Sequence, residues 1–108
     1  MGTDLISLYT TLPDRASADR IARILVEEQL AACASAFPVE STYRWQGRLE
    51  QASEWALILK TRRALYAAVE RRIRELHPYE VPAVVAYDIT AGLPDYLAWI
   101  RETTREPS

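Results

Sequence analysis

An extended hairpin, out of proportion to the chain that carries it, constrains this sequence most. Ala32 to Trp45 and Leu49 to Arg62 both read as strand, with Gln46-Gly47-Arg48 as the turn between them. Each arm has about fourteen residues, so at ~3.3 Å per residue it reaches roughly 45 Å when straight. A compact domain of 108 residues is only about 34 Å across. Part of the ribbon must therefore bend or project. The projecting part is not polar: it holds Tyr43, Trp45 and Trp55, with Leu57, Ile58 and Leu59 behind them. Apolar strands with free edges recruit partners, so an oligomer is expected.

Hydrophobic residues make up 49% of the chain, enough for one domain spanning residues 1–108 with one core. A formal net charge of −2 and a pI near 5.4 argue against nucleic acid as a partner. The arginines are interleaved with acids, and Glu70, Arg71, Arg72, Arg74 and Glu75 read as one solvated helix face. No stretch is long and apolar enough to span a bilayer, so no membrane partner is expected. Met1-Gly2-Thr3-Asp4 lacks the basic start and apolar run of a signal peptide, which makes a cytoplasmic location the expectation. Cys33 is the single cysteine. Its small apolar neighbours, Leu30 to Ala34, suit a buried hydrophobe, whereas a ligand or redox thiol wants a cationic neighbour that the adjacent sequence lacks.

Leu5 to Thr11 reads as a central strand covered on both faces. Ala18, Ile21, Ala22 and Leu25 then fall at helical spacing, with Asp14 or Ser17 as N-cap and an end near Leu30 to Ala32. Pro38 within the first hairpin arm implies an edge strand or a bulge. A second helix over Arg63 to Leu76 buries Leu65, Ala68, Val69, Ile73 and Leu76, carries Glu70 and Arg74 on its exposed side, and stops at Pro78. Ala83 to Ile89 reads as a fourth strand. Pro94 opens a last helix with Tyr96, Leu97, Trp99 and Ile100 on its apolar face, and Glu102 to Ser108 is expected to fray. The order is β-α-β-β-α-β plus a helix: an α+β fold with one antiparallel sheet and helices on one face. The other face keeps Leu, Ile, Val and Trp, which another subunit would cover.

Chemistry concentrates in two places. His77 is the sole histidine, the side chain suited to switching or ligation near neutral pH. It also sits at a helix end, where a partly positive imidazole suits the terminal dipole. Tyr79 and Glu80 follow it on a turn bracketed by Pro78 and Pro82. The second place is the hairpin, with Glu54, Lys60, Tyr43 and Trp45. Lys60 reads as an interface salt bridge or, with His77 and Tyr79, as part of a cleft between subunits for a small anion. Trp45 and Trp55 read as packing at a subunit seam. No nucleophile elbow, phosphate loop or catalytic triad spacing is present in the sequence, so no enzymatic activity is expected.

The ordered set Thr11-Leu12-Pro13-Asp14, Leu30-Ala31-Ala32-Cys33, Pro38, Ser41, Tyr43, Trp45, Gly47, Glu54, Lys60-Thr61, His77 to Pro82 and Asp95 to Trp99 resembles the CutA family of divalent-cation tolerance proteins. The resemblance implies a ferredoxin-like subunit in a tight homotrimer built through the long hairpin, architecturally like the PII signalling proteins. It implies a role in tolerance of divalent metals, copper among them, which names a phenotype and not a reaction. Some copper-binding members carry cysteine at the position of Thr10 and a second histidine at that of Leu76; both are absent here, leaving His77 with Glu80 as a weaker candidate metal site. Ser35 stands where the family usually has asparagine. The alternative is a PII-like module that binds a small anionic ligand between subunits.

Overall fold

The computed structural model describes residues 3–107. Its elements are β1 (Leu5–Leu12), α1 (Arg15–Glu27), β2 (Cys33–Trp45), β3 (Arg48–Arg62), a 3-10 turn (Arg63–Leu65), α2 (Tyr66–Leu76), β4 (Val84–Asp88) and α3 (Pro94–Thr103). The four strands form one sheet in the order β2-β3-β1-β4, with every neighbouring pair antiparallel. This is the expected ferredoxin-like βαββαβ arrangement with its added C-terminal helix.

The hairpin governs the shape. Its arms pair in one register from Cys33 opposite Lys60 to Trp45 opposite Arg48, so Pro38 causes no bulge. Pro38 lies instead on an edge strand, where a missing donor is tolerated. The turn is two residues and not three. Gln46 and Gly47 take φ values of 51° and 78°, the left-handed pair that matches the twist of the flanking strands. Pairing of β1 with β3 stops at Leu12 opposite Trp55. Beyond it, Val39–Trp45 and Arg48–Glu54 have only each other. The longest dimension is accordingly 43 Å and the radius of gyration 14.4 Å, against ~13 Å for a compact chain of this size. The ribbon projects.

Strand alternation splits the sheet into two unlike faces. Leu8, Leu12, Leu57 and Leu59 pack against Ile21 and Leu25 of α1 and Val69 and Ile73 of α2, all fully buried. Trp55 shares this face, half-buried, with the Arg15 guanidinium 5.4 Å above its ring. On the opposite face α3 covers one end only, where Leu97 and Ile100 close over Leu5. The middle of that face presents Phe37, Val85 and Tyr87 to solvent.

Of the two candidate caps, Asp14 is the one α1 uses: its carboxylate accepts the Ser17 N–H at 2.8 Å. Two local expectations change. The helix ends at Glu27 because Gln29 turns left-handed at φ 59°, and the Leu30 and Ala31 N–H groups then donate back to the Leu25 carbonyl. The C-terminal segment does not fray at Glu102. The Thr104 hydroxyl accepts from Arg62 Nε at 3.0 Å and donates to the Ile100 carbonyl at 2.9 Å, while Arg105 N–H donates to the Gln29 carbonyl at 2.8 Å. On α2, Glu70 accepts from the Tyr66 hydroxyl at 2.8 Å and Arg72 pairs with Glu28 at 2.9 Å.

One polar atom in the core has no partner among the described residues: the fully buried Thr10 hydroxyl. A buried hydroxyl without a hydrogen bond carries its desolvation cost unrelieved. Thr10→Val keeps the shape and is expected to raise stability by about 1 kcal/mol, read as a higher denaturant midpoint at unchanged slope.

Candidate functional site

The loop from α2 to β4, residues 77–83, crosses the uncovered face where the ribbon leaves the sheet. His77 fixes it. Its backbone caps α2, with the N–H donating to the Ile73 carbonyl at 2.8 Å. Its φ and ψ of −77° and 134° are the extended values favoured before a proline. The ring is buried, with 8% of its surface exposed. Nε2 lies 2.7 Å from the Thr11 carbonyl oxygen. A carbonyl only accepts, so Nε2 carries the proton. Nδ1 in turn accepts from the Tyr79 N–H at 3.1 Å. Burial pushes the imidazole below the ordinary histidine range, outweighing the Thr11 bond and the Glu54 charge that raise it. The side chain is therefore a neutral bracket between β1 and the loop, not a positive charge at a helix end. A metal could reach it only by displacing one of these two backbone partners.

Tyr79 stands beside it, ring centroids 4.8 Å apart. Its hydroxyl donates to Glu54 Oε2 at 2.7 Å. Burial first, and the bond to Glu54 second, push the phenol far above its usual range, so it remains a donor at physiological pH. Glu54 lies on β3 where the ribbon departs and is 7% exposed. Its other oxygen, Oε1, has no hydrogen-bond partner among the described residues.

These groups line a cavity of about 720 Å³. Tyr9, Thr11 and Glu54 form its floor, Ser41, Tyr43 and Trp45 the ribbon wall, and Pro78, Tyr79, Glu80 and Val81 the loop wall. Tyr43, Trp45, Glu54, Tyr79 and Glu80 are thus brought together, with His77 directly behind them. Lys60 and Trp55 are not. Lys60 lies six residues along β3 from Glu54, about 20 Å in an extended strand, opposite Ser7 and Cys33. Trp55 is on the helix face. Cys33 is half-buried, its sulfur 3.5 Å from the Tyr96 hydroxyl. Strand pairing sets Lys60 across from it, a cationic neighbour that adjacency in sequence could not reveal. Tyr9, Thr11 and Ser41 were missed as cavity residues, because only the register places them beside Glu54 and Trp45. Among the described residues no three His, Cys, Asp or Glu side chains converge as a metal cluster.

Comparison with known proteins agrees with this architecture. The family model described as CutA1 divalent ion tolerance protein matches residues 6–103. The chain is 41% identical over 102 residues to the divalent-cation tolerance protein CutA of Pyrococcus horikoshii, covering 94% of this chain and 100% of that one. The crystal structure of CutA from Xylella fastidiosa superposes with a TM-score of 0.92 at 41% identity, covering 95% and 100% of the two chains. The structure of CutA from Archaeoglobus fulgidus superposes with a TM-score of 0.90 at 40% identity over 92% and 97%. That relative is described as a periplasmic divalent cation tolerance protein. The expectation of a cytoplasmic location is corrected accordingly. By the family match, the identities and the shared fold, the chain belongs to the CutA family of divalent-cation tolerance proteins.

Proposed function

We propose that the chain works as a single domain, a non-enzymatic subunit of a homotrimer in divalent-cation tolerance, engaging cations weakly through the cavity carboxylates. The observation that carries the cation reading is Glu54: a buried carboxylate, one oxygen held by Tyr79, in the lining of a cavity that has no lysine or arginine among its residues. Glu80 lines the same space. Carboxylate and hydroxyl oxygens suit hard divalent ions better than Cu(I), which prefers sulfur. His77 contributes by holding the loop, since both its nitrogens are engaged. Assembly is supported by the exposed apolar face and by two free sheet edges, β2 and β4. The same absence of basic lining residues weighs against the anion-binding, PII-like reading.

The test pairs light scattering with calorimetry. The expected mass is three times 12.3 kDa, with weak heats for Zn(II) and Cu(II) that fall at least about tenfold in affinity in Glu54→Gln and survive in His77→Gln. A stable monomer ends the trimer reading. Heats lost in His77→Gln and retained in Glu54→Gln move the metal site to the histidine.

A further inference from the structure

We infer that the Glu54 site is completed between subunits, its carboxylate taking the ammonium group of Lys60 of the partner subunit. The inference rests on the homotrimer reading and deepens it by naming a contact. It starts from the charges on the uncovered sheet face. Strand alternation places Tyr9 and Thr11 of β1, Ala56 and Ile58 of β3, and Val85 and Tyr87 of β4 there, and all six are uncharged. Glu54 and Lys60 interrupt that surface, the first where the ribbon departs and the second toward the other end of β3. Arg62, next on the same face, is already engaged by Thr104 and Glu106. Glu54 is 7% exposed even in the single chain, and its hydrogen bond comes from the neutral Tyr79 hydroxyl. Lys60 is half-buried and joins no ion pair among the described residues. Each charge lacks a counter-ion, and about 20 Å of extended strand keeps the two from meeting within one chain. Covering either alone on assembly is costly, and pairing them offsets that cost.

Symmetry supplies the pairing. A cyclic trimer is built from heterologous contacts, in which one patch of a subunit meets a different patch of the next. Opposite charges at two separate places on one face meet that requirement, and closing the ring repeats the contact at every boundary. Lysine suits the task, because its flexible apolar stem lies along hydrophobic surface while the ammonium reaches beyond it. The Tyr9 and Tyr79 rings, which share the lining with Glu54, attract such a cation. Arg48 is the other cation on this face, but it is exposed beside the ribbon turn, where water solvates it. The partner's Lys60 then neutralises Glu54 at rest. A metal ion reaches the carboxylate only by displacing that ammonium, which makes the proposed cation engagement weak, and no surplus positive charge is left for an anion.

The test is a double-mutant cycle on assembly of the full chain. Dissociation is read by sizing with light scattering, in guanidinium at a level where wild-type protein begins to dissociate but its subunits keep their circular dichroism. Glu54→Gln, which still accepts from Tyr79, and Lys60→Met are each expected to weaken assembly at least about tenfold, because each leaves one covered charge alone. The double variant removes both charges and is expected to recover most of the loss, a coupling that groups about 20 Å apart in one chain do not show. Additive effects overturn the inference, as does coupling of Glu54→Gln to Arg48→Met in place of Lys60→Met. Additivity in a protein that is still trimeric leaves the homotrimer reading standing, whereas a wild-type monomer ends that reading and this one together. Should a variant fail to fold, carbodiimide coupling of the wild-type protein decides. An amide joining Glu54 to Lys60 in a covalently linked dimer supports the contact, and its absence from the dimer's peptides overturns it. A coupled cycle without any metal heat supports the contact and refutes metal engagement by Glu54.

Discussion

Phe37→Asp is expected to convert the proposed trimer into monomers. Phe37 lies on the uncovered face of edge strand β2, opposite Ala56 and in line with Thr11, and is 37% exposed in the single chain. Val85 and Tyr87 extend the same apolar surface across β4. A partner packed there would bury a carboxylate in an otherwise apolar contact surface. Such burial costs several kcal/mol per ion, and threefold symmetry repeats the cost at each contact. Roughly 4 kcal/mol corresponds to about a thousandfold in dissociation constant. Sizing at micromolar concentration should then move from trimer to monomer, with the circular dichroism of the subunit retained. Gln51→Asp adds the same charge to an exposed ribbon position on the opposite face and is expected to leave the trimer intact. If both variants stay trimeric, the subunits meet elsewhere.

The elements legible in the sequence were those whose signal is local. The apolar period of α1, the run of β1 and the Pro94 start of α3 each lie within a few residues, and each element is found where expected. Boundaries set by single dihedral angles were not legible. Gln29 ends α1 by adopting a left-handed conformation that is uncommon for a residue other than glycine and that no feature of its side chain announces. The C-terminus escaped for a related reason: Thr104 is held by Arg62, a side chain far away in sequence. Nothing near Glu102 announces that bond.

The site was legible residue by residue but not as a constellation. Tyr43, Trp45, Glu54, Tyr79 and Glu80 stood out as types, and the fold collects them. What the sequence could not supply was face. Trp55 directly follows Glu54, yet strand alternation sends it beneath α1 while Glu54 enters the cavity. Lys60, even-numbered like Glu54, shares its face but not its place along the strand. The combination of two acids with four aromatics and no base in the lining emerges only from the register and the loop crossing.

His77→Ala is expected to cost about 2–4 kcal/mol of stability, leaving the Thr11 carbonyl and the Tyr79 N–H without their partner beside a new void. Its pH signature separates this structural role from ligation. The folded-state pKa of His77 is lowered by burial, so the unfolded chain, near the ordinary ~6.5, binds a proton first as pH falls. Stability contributed by the neutral ring is full above about pH 6.5 and declines with acidification toward the folded value. Asp4 and Glu28, held low by Arg101 and Arg72, lose their contributions only in the more acid carboxylate range. Wild-type protein should therefore weaken as the pH falls below roughly 6.5, whereas His77→Ala starts lower and runs nearly flat until the carboxylates begin to titrate. Chemical denaturation at half-unit pH steps measures both curves. A slope that persists in the variant assigns the titration to another group. A Cu(II) heat that disappears with the histidine at neutral pH, where the wild-type ring is uncharged, would show that metal does displace Thr11 or Tyr79 from its nitrogens.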